Sequence, residues 1–318
     1  MNDWASTSFV FAGQGSQAVG MGRDFADASP LVRAVFEEAD DLLGFRLSRL
    51  CFEGPEDVLN TTIHTQPALY VYGIAVLRLL QAEVFPTLPD FLAGHSFGEI
   101  TALVAAESLS FADGLRLVRE RGRVMQAAGQ AAPGGMAAVL GIDAVALREI
   151  CTMAERQTGG TLVIANDNCP GQIVISGDLP TLEIGTVLAK TAGVRRIVRL
   201  AVSIAAHSPL MQPAAVDFAA ALAEVDFKPP LRPVYGNVTT EPLTDAVAIR
   251  AELTQQLTHT VRWTESVQRM IADGAAHFIE FGPGDVLSKL IRRIDDSVST
   301  LALSSYPAFL SLSQTIQE

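Results

Sequence analysis

The chain alternates between short apolar runs of strand character and longer runs with helical periodicity. Residues 8–12 form the first strand-like run and end at a Gly-Gln-Gly turn, and residues 90–93 form another that stops at Gly94. Helical periodicity predicts helices at residues 67–81, 99–107 and 113–128, with Pro67 near the first turn of its helix. Such alternation of strands and helices favours a largely parallel α/β sheet.

The segment from residue 133 to 200 has a different order of elements. Strands are predicted at 136–140, 161–165, 173–176 and 195–200, and helices at 144–156 and 181–192. The resulting order, βαββαβ, is that of the ferredoxin-like unit. We therefore predict a small domain at residues 133–200, inserted into a large α/β catalytic domain of residues 1–132 and 201–318. The second part of the large domain is predicted to hold helices at 211–225 and 286–294 and strands at 234–237 and 276–281.

Charge and composition exclude several classes of protein. Among 318 residues, 23 are Lys or Arg and 35 are Asp or Glu, so the net charge is −12. Binding to nucleic acid or to an anionic membrane surface needs a basic face, so neither is expected. With 49% hydrophobic residues the chain can bury a sizeable core. Its most apolar run, residues 68–80, is shorter than a membrane helix and is broken by Arg78.

The cysteines and the amino terminus indicate the compartment. Cys51, Cys151 and Cys169 are far apart, and no Cys-x-x-Cys pair occurs. This spacing predicts neither a disulfide framework nor a zinc site, and it favours a reducing environment. Residues 1–5 lack a basic segment followed by an apolar one, so no secretory signal is expected. We therefore expect a cytoplasmic protein.

Residues 94–98, Gly-His-Ser-Phe-Gly, form a G-x-S-x-G pattern between a predicted strand and a predicted helix. In that context the glycines permit a tight turn that pushes the Ser96 hydroxyl outward. The helix amino terminus behind it offers N–H groups to an oxyanion. The pattern predicts a nucleophile at Ser96, and the alternative is a glycine-rich turn without chemistry.

A serine nucleophile needs a base, and the chain has five histidines. His207 lies C-terminal to Ser96, in a loop between a predicted strand and a predicted helix, and this is the order found in α/β-hydrolases. We predict that His207 is the base, the alternative being a loop histidine with a purely structural role. His95 lies inside the turn and is expected to pack beside it.

Arg121 lies in the middle of the apolar face of the predicted helix 113–128. At about 100° per residue it shares its half of the helix with apolar side chains, whereas Arg116, Arg119 and Arg123 lie opposite. A buried arginine is costly unless it meets an anion, and its planar fork suits a carboxylate. Arg121 is therefore predicted to bind an acidic substrate or, alternatively, to form a structural salt bridge.

The Gly-Gln-Gly turn at 13–15 allows two interpretations. Gly13, Gly15 and Ala18 fit the dinucleotide fingerprint after a strand. That fingerprint also needs an acidic residue at the end of a second strand about 20 residues on, but the aspartates at 40 and 41 lie in a predicted helix. A turn that presents a backbone N–H to an oxyanion fits the serine turn better. A nicotinamide oxidoreductase is thus the less favoured function.

Together these residues resemble the malonyl-CoA:acyl carrier protein transacylases, which are related to polyketide-synthase acyltransferase domains. The similarity spans residues 9 to 294, and the runs that carry it lie at 11–17, 65–69, 94–99, 121–125, 165–177, 207–211 and 280–284. It implies a hydrolase-like α/β core with a ferredoxin-like small domain. The partners it implies are an acyl carrier protein and a CoA thioester, with no metal or redox cofactor. We expect a monomer.

The resemblance assigns roles to individual residues. Ser96 matches the acylated nucleophile, and His207 matches its base in a dyad without a required acid. The backbone carbonyl of Gln256 matches the group that orients that histidine. The backbone N–H groups of Gln14 and Phe97 match the oxyanion hole.

Further positions concern the acyl group. Arg121 matches the clamp for the malonyl carboxylate, in agreement with its place on the helix, and Asn168 is expected at the substrate. The chain departs from the family at Phe97, where an aliphatic residue or glutamine is commoner, and at Ala206, where malonyl-selective members usually carry phenylalanine. Because both changes alter the size of the acyl pocket, the choice between malonyl and a substituted malonyl unit stays open.

A carrier protein is typically acidic, so its docking on a chain of net charge −12 needs a local basic patch. The candidates are Lys190, Arg195, Arg196, Arg292 and Arg293, of which Arg195, Arg196 and Arg293 match basic positions of the family. The alternative is that all five are solvated surface charges.

The predicted function is transfer of a malonyl group from malonyl-CoA to the phosphopantetheine thiol of an acyl carrier protein, by a Ser-His ping-pong mechanism. The nearest alternative is a hydrolase that clears acyl groups from carrier proteins, which would not need Arg121 in its pocket. An ordinary esterase is disfavoured because the chain has no His-Gly-Gly-Gly run. The sequence is compatible with fatty-acid and with polyketide synthesis.

Overall fold

The computed structural model describes residues 6–317, with side chains up to residue 315. The expectation about a secretory signal at residues 1–5 therefore falls outside the described residues. The described part of the chain forms two sheets. Their strands are β1 (Thr7–Phe11), β2 (Phe91–Gly94), β3 (Gly134–Leu140), β4 (Leu162–Cys169), β5 (Gln172–Asp178), β6 (Arg196–Arg199), β7 (Val234–Tyr235), β8 (Pro242–Leu243), β9 (His277–Phe281) and β10 (Ser299–Ala302).

The larger sheet holds six strands in the order β10-β9-β1-β2-β7-β8. Neighbouring strands run parallel except in the short pair β7–β8, which is antiparallel. Phe11 at the end of β1 lies opposite Gly94 on β2 and Phe281 on β9. The carboxyl ends of these three strands therefore meet at one edge of the sheet, which is where parallel α/β sheets build binding sites.

Helices cover both faces of this sheet and fill the connections between strands. In the described residues they are α1 (Arg23–Ala28), α2 (Pro30–Leu43), α3 (Leu47–Glu53), α4 (Glu56–Leu59), α5 (Thr62–Glu83), α6 (Gly98–Ala105), α7 (Phe111–Ala131), α8 (Ala144–Thr158), α9 (Leu179–Thr191), α10 (Gln212–Ala223), α11 (Ala246–Gln256), α12 (Trp263–Ala272), α13 (Val286–Ile294) and α14 (Tyr306–Gln317). A short 3-10 turn covers Pro209–Met211. Among the described helices, none combines the length and the apolar character needed to span a membrane.

The contact between α5 and α7 brings two long polar side chains together in the core. Ser110 caps the amino terminus of α7, since its Oγ accepts the Asp113 N–H at 3.1 Å. At Gly122 of α7 a Cβ would lie 2.8 Å from the Thr62 carbonyl oxygen of α5, so the two helices approach closely and only glycine fits there. Arg121, one residue earlier, is thereby pressed against Gln66 of α5, and both residues are buried.

The smaller sheet has the strand order β4-β5-β3-β6 with every pair antiparallel. Helices α8 and α9 cover one face of it and share an apolar core with the strands. On the other face Met136 and Val174 join the main core of the molecule. The predicted fold class, an α/β core with a parallel sheet and a small βαββαβ unit, is confirmed. The division into domains at residues 133 and 200 stays a prediction.

The predicted elements differ from the observed ones mainly at their ends, but not every observed element was predicted. The unpredicted elements include helices α1, α3, α4, α11, α12 and α14 and strand β8. Helix α5 begins at Thr62 and not at Pro67, so the predicted start of this helix is wrong and Pro67 lies inside it. The physical reason is tertiary packing, because Thr62, Thr65 and Gln66 are all buried and the helix continues through the proline. Strand β10 is absent from the predicted elements, since it is a short, partly exposed edge strand.

Candidate active site

Ser96 occupies a tight turn between β2 and α6 and lines a pocket at the carboxyl edge of the large sheet. Its φ is +55°, in the left-handed region that residues other than glycine seldom adopt. At Gly94 a Cβ would lie 1.9 Å from the carbonyl carbon and oxygen of Gly98, so glycine is required there. The turn is therefore as sharp as the G-x-S-x-G pattern predicts.

His207 meets Ser96 from the loop that precedes the 3-10 turn. Its Nε2 lies 2.9 Å from the Ser96 Oγ, and its Nδ1 lies 2.7 Å from the backbone oxygen of Gln256. Because a carbonyl oxygen can only accept a hydrogen bond, we infer that Nδ1 carries the ring proton. The Nε2 lone pair then faces the serine hydroxyl. The structure thus brings together Ser96, His207 and the Gln256 carbonyl.

The surroundings of His207 keep its ring neutral. Burial, and after it the positive charge of Arg121, lower the pKa of His207 from 6.5 to about 3. Near pH 7 the ring therefore has a free lone pair that can accept a proton. An imidazolium at this position would lie close to a second cation. Any anion that binds Arg121 would consequently make proton uptake by His207 more favourable.

Arg121 enters the same pocket from α7 and is 1% exposed. Its Nη2 donates to the Ser96 Oγ at 3.1 Å and to the Gln256 Oε1 at 2.8 Å, and its Nη1 donates to the Gln66 Oε1 at 3.1 Å. In the described part of the chain no carboxylate forms an ion pair with Arg121, so the alternative of a structural salt bridge is not supported. Burial lowers the pKa of Arg121 to about 10, and the group therefore remains a cation near pH 7.

Two backbone N–H groups beside Ser96 are free. Neither Gln14 nor Phe97 donates its backbone N–H to another group among residues 6–317. Phe97 immediately precedes α6, so its N–H belongs to the open amino terminus of that helix. Gln14 follows Gly13, where a Cβ would lie 2.8 Å from the His95 carbonyl oxygen, and the 13–15 turn therefore packs directly on the serine turn. Both N–H groups are available to a developing oxyanion.

Apolar side chains line the remainder of the pocket. The small sheet contributes Met136, and Leu200 and Val202 follow β6. Ala206 and Phe97, the two departures from the resembled family, also line the pocket. A small acyl group therefore has apolar walls and one cation.

The structure places Asn168 elsewhere than at the serine pocket. Its Oδ1 lies 2.8 Å from the His95 Nε2, and both residues line a neighbouring cleft together with Gln14 and Leu287. The asparagine that lines the serine pocket is Asn166. His95 also packs edge-on against Trp263, in keeping with the packing role expected for it.

Three polar residues that surround the site were not predicted from the sequence, and neither was a role for the Gln256 side chain. The Gln256 Nε2 donates to the Ser96 carbonyl oxygen at 3.0 Å and to the Glu99 Oε2 at 2.9 Å. Burial, and next the charge of Glu252, raise the pKa of Glu99 well above its usual range. The missed residues are Gln66, Glu99 and Asn237. Gln66 and Glu99 are buried polar side chains on α5 and α6. The helices predicted from sequence begin at residues 67 and 99, so the helical periodicity that identified Arg121 did not single them out.

The five basic candidates for carrier docking all have exposed side chains. Lys190, Arg195 and Arg196 lie between the end of α9 and the start of β6, in a stretch from residue 184 to 216 that contains no acidic residue. Arg293 on α13 is not free, because it donates to the Gln172 Oε1 at 2.7 Å and to the Pro170 oxygen at 2.9 Å. It therefore ties α13 to the β4–β5 connection.

Known proteins share both the sequence and the fold. The profile of the acyl transferase domain matches residues 8–304. The malonyl CoA-acyl carrier protein transacylase of Bacillus subtilis (strain 168) is 42% identical over 311 residues, which are 98% of this chain and 97% of that protein. The protein of the same name from Escherichia coli (strain K12) is 42% identical over 297 residues, 93% and 95% of the two chains.

Solved structures extend this similarity to three dimensions. The malonyl CoA-acyl carrier protein transacylase of Coxiella burnetii matches with a TM-score of 0.94 at 36% identity, over 99% of this chain and 98% of that one. A malonyl-transacylase solved in complex with its type II PKS acyl-carrier protein matches with a TM-score of 0.93 at 38% identity, over 98% and 100%. Because profile, relatives and structures all cover nearly the whole chain, this protein belongs to the malonyl CoA-acyl carrier protein transacylase family of acyl transferases.

Proposed function

We propose that this protein is an acyl-carrier-protein S-malonyltransferase, which moves a malonyl group from malonyl-CoA to the phosphopantetheine thiol of an acyl carrier protein. The observation that carries this proposal is a buried cation without an acidic partner, Arg121, 3.1 Å from the hydroxyl of a serine that is paired with a histidine. The family relatives bear the name of this activity. One solved relative is bound to its acyl-carrier protein.

The first half-reaction acylates Ser96. The His207 Nε2 takes the hydroxyl proton as the Ser96 Oγ attacks the thioester carbonyl of malonyl-CoA. The N–H groups of Gln14 and Phe97 hold the negative charge on the carbonyl oxygen. The carbon–sulfur bond then breaks, and CoA leaves as a thiol after taking the proton from His207.

The second half-reaction transfers the acyl group. His207 takes the proton of the carrier's thiol, and the thiolate sulfur attacks the malonyl ester on Ser96. The ester bond breaks, the proton returns to the Ser96 Oγ, and the malonyl group leaves on the carrier. The Gln256 carbonyl, 2.7 Å from Nδ1, keeps the ring in the required tautomer throughout. Because serine, histidine and backbone N–H groups supply each step, the reaction needs no metal or redox cofactor.

The malonyl carboxylate has two effects when it pairs with Arg121. It gives the buried guanidinium the anion that its surroundings lack, in a charge-assisted pair. It also offsets the positive charge that lowers the pKa of His207, so the base accepts the serine proton more readily. An acetyl group has no carboxylate and gains neither effect. A hydrolase acting on uncharged acyl groups would gain nothing from this cation.

The proposal also includes the cellular compartment and the binding partners. Cys51, Cys151 and Cys169 are buried and unpaired, which fits a reducing cytoplasm. The partners are the CoA thioester and the carrier protein, with no part for nucleic acid or membrane. The choice between malonyl and a substituted malonyl unit and the choice between fatty-acid and polyketide synthesis stay open, and the monomeric state stays a prediction. Asn168 lies outside the serine pocket, and we propose that it orients the His95 ring through the 2.8 Å hydrogen bond between them.

Replacement of either member of the dyad should stop acylation. Ser96→Ala should form no acyl-enzyme with malonyl-CoA, because among the described residues no other serine and no threonine or cysteine lines the pocket. His207→Ala should lower the acylation rate constant roughly 10²–10⁴-fold, the usual range for loss of a general base. Mass spectrometry of the intact enzyme measures both effects. His277→Ala, which removes an exposed histidine on β9, is the matched control. A stoichiometric adduct on the Ser96→Ala variant would contradict the assignment.

Loss of the Arg121 charge should change the choice of acyl group. Arg121→Ala should lower kcat/KM for malonyl-CoA by 10²-fold or more, since a desolvated charge pair of about 3 kcal/mol is lost. The much slower reaction with acetyl-CoA should change little. Arg123→Ala, on the exposed face of the same helix, should affect neither substrate. Equal losses for malonyl and acetyl would show that Arg121 only supports the fold.

Charge reversal in the basic patch should weaken the second half-reaction alone. Arg196→Glu combined with Arg293→Glu should raise the KM for the carrier protein and leave the rate of Ser96 acylation by malonyl-CoA unchanged. Transfer by the wild type should also weaken with salt, because exposed charges are screened over about 10 Å at 0.1 M. Arg49→Glu combined with Arg116→Glu makes the same change in net charge elsewhere and should not raise the KM.

The single variant Arg196→Glu distinguishes a loss of carrier binding from damage to the fold. The Arg196 side chain makes no hydrogen bond in the described residues, whereas the Arg293 side chain makes two. An unchanged carrier KM in the double variant, or equal impairment of both half-reactions, would remove these residues from the docking surface.

A further inference from the structure

The turn that carries Ser96 is held by a side chain far away in the sequence. The Asn237 Oδ1 accepts the backbone N–H of Ser96 at 2.7 Å, and the Asn237 Nδ2 donates to the carbonyl oxygen of Gly94 at 2.8 Å. Asn237 follows β7, the neighbour of β2 in the sheet, and is fully buried. One amide group therefore spans both ends of the turn.

Few side chains could make this bridge. The turn presents one donor and one acceptor to the same side, so the bridging group needs an acceptor and a donor on a short stem. The asparagine amide has both. An ionised aspartate has no donor, a serine hydroxyl cannot reach two separated groups with the same geometry, and glutamine is one methylene longer. The residue type at 237 is thus matched to the turn.

The backbone of Asn237 is itself anchored in the core. Its N–H donates to the Glu99 Oε2 at 3.0 Å, and its carbonyl oxygen accepts the Arg262 N–H at 2.8 Å. The next two N–H groups of the loop donate to the buried carboxyl of Glu252. Two buried acids from α6 and α11 therefore fix the loop, and the loop fixes Asn237. Glu99 belongs to α6, the helix that follows Ser96. Asn237 therefore contacts both the serine turn and the helix that the turn begins.

Ser96 needs such support because its left-handed backbone conformation is unfavourable for a residue with a Cβ. If the turn relaxed, the Ser96 Oγ and the Phe97 N–H would both move relative to His207. We propose that Asn237 is a positioning residue for acylation, which holds Ser96 in its left-handed conformation. The Ser96 hydroxyl and the Phe97 N–H thereby keep the positions relative to His207 that acylation needs. This role rests on the proposed function, in which Ser96 is the nucleophile.

The test compares Asn237→Ala with Ser266→Ala in single-turnover acylation by malonyl-CoA. Ser266 is buried, and its Oγ donates to the carbonyl oxygen of Gly236 at 2.9 Å, so this control loosens the same loop without touching the turn. Asn237→Ala should still reach about one malonyl group per folded enzyme, with a rate constant roughly 10²-fold lower, as expected for a small misplacement of reacting groups. Ser266→Ala should lower the Tm and keep the wild-type rate constant.

A purely structural role predicts a different result. Asn237→Ala would then give fewer active molecules, each with the wild-type rate constant, and that outcome overturns the proposal. If wild-type enzyme itself forms no acyl-serine, the proposed function fails instead, so the two failures are distinguishable. Should Asn237→Ala not fold, Glu99→Ala and Glu99→Gln replace it. Glu99→Gln keeps an acceptor for the Asn237 N–H and should acylate faster than Glu99→Ala, and equal rate constants would overturn the proposal.

Discussion

A buried positive charge that has no acidic partner in the described part of the chain is the constraint around which the site is built. The Arg121 guanidinium is costly to bury, and neutral oxygen acceptors, from the side chains of Gln66, Gln256 and Ser96, meet it in place of a carboxylate. The buried carboxyl of Glu99 accepts hydrogen bonds from Gln256 and Asn237 and not from Arg121. Within residues 6–317 the Arg121 guanidinium therefore has no carboxylate partner beside the Ser96 hydroxyl, and the free carboxylate of a dicarboxylic acid monothioester can supply that anion.

Gln256 links this cation to the catalytic pair. Its backbone oxygen accepts from His207, while its side chain accepts from Arg121 and donates to the Ser96 carbonyl oxygen. The positions of the His207 ring, the Arg121 guanidinium and the Ser96 turn therefore all depend on Gln256, the last residue of α11. The parallel strands β1, β2 and β9 supply the common edge at which these groups converge. In the proposed mechanism Gln256 therefore couples the binding of the acyl carboxylate at Arg121 to proton transfer at His207.

Local sequence patterns were enough to predict the site residues whose type is unusual at their position in a turn or on a helix face. A strand–glycine–serine–helix pattern predicted Ser96, and helical periodicity placed Arg121 on a buried face. The Gln256 carbonyl came only from the family resemblance, because a backbone oxygen leaves no signature in residue type. Asn237 could not be predicted, since its role exists only once β7 lies beside β2. For Pro67 the tertiary packing of α5 overrode the local preference for the first turn.

The most direct test of the central claim uses the wild-type enzyme and malonyl-CoA without any carrier protein. We expect release of one free CoA per enzyme and, after proteolysis, a malonyl group on the peptide that contains Ser96. The acyl-enzyme, separated from CoA, should then deliver its malonyl group to the phosphopantetheine thiol of an added carrier. Malonyl on a different peptide, or transfer only when malonyl-CoA and carrier are present together, would contradict a ping-pong reaction through Ser96.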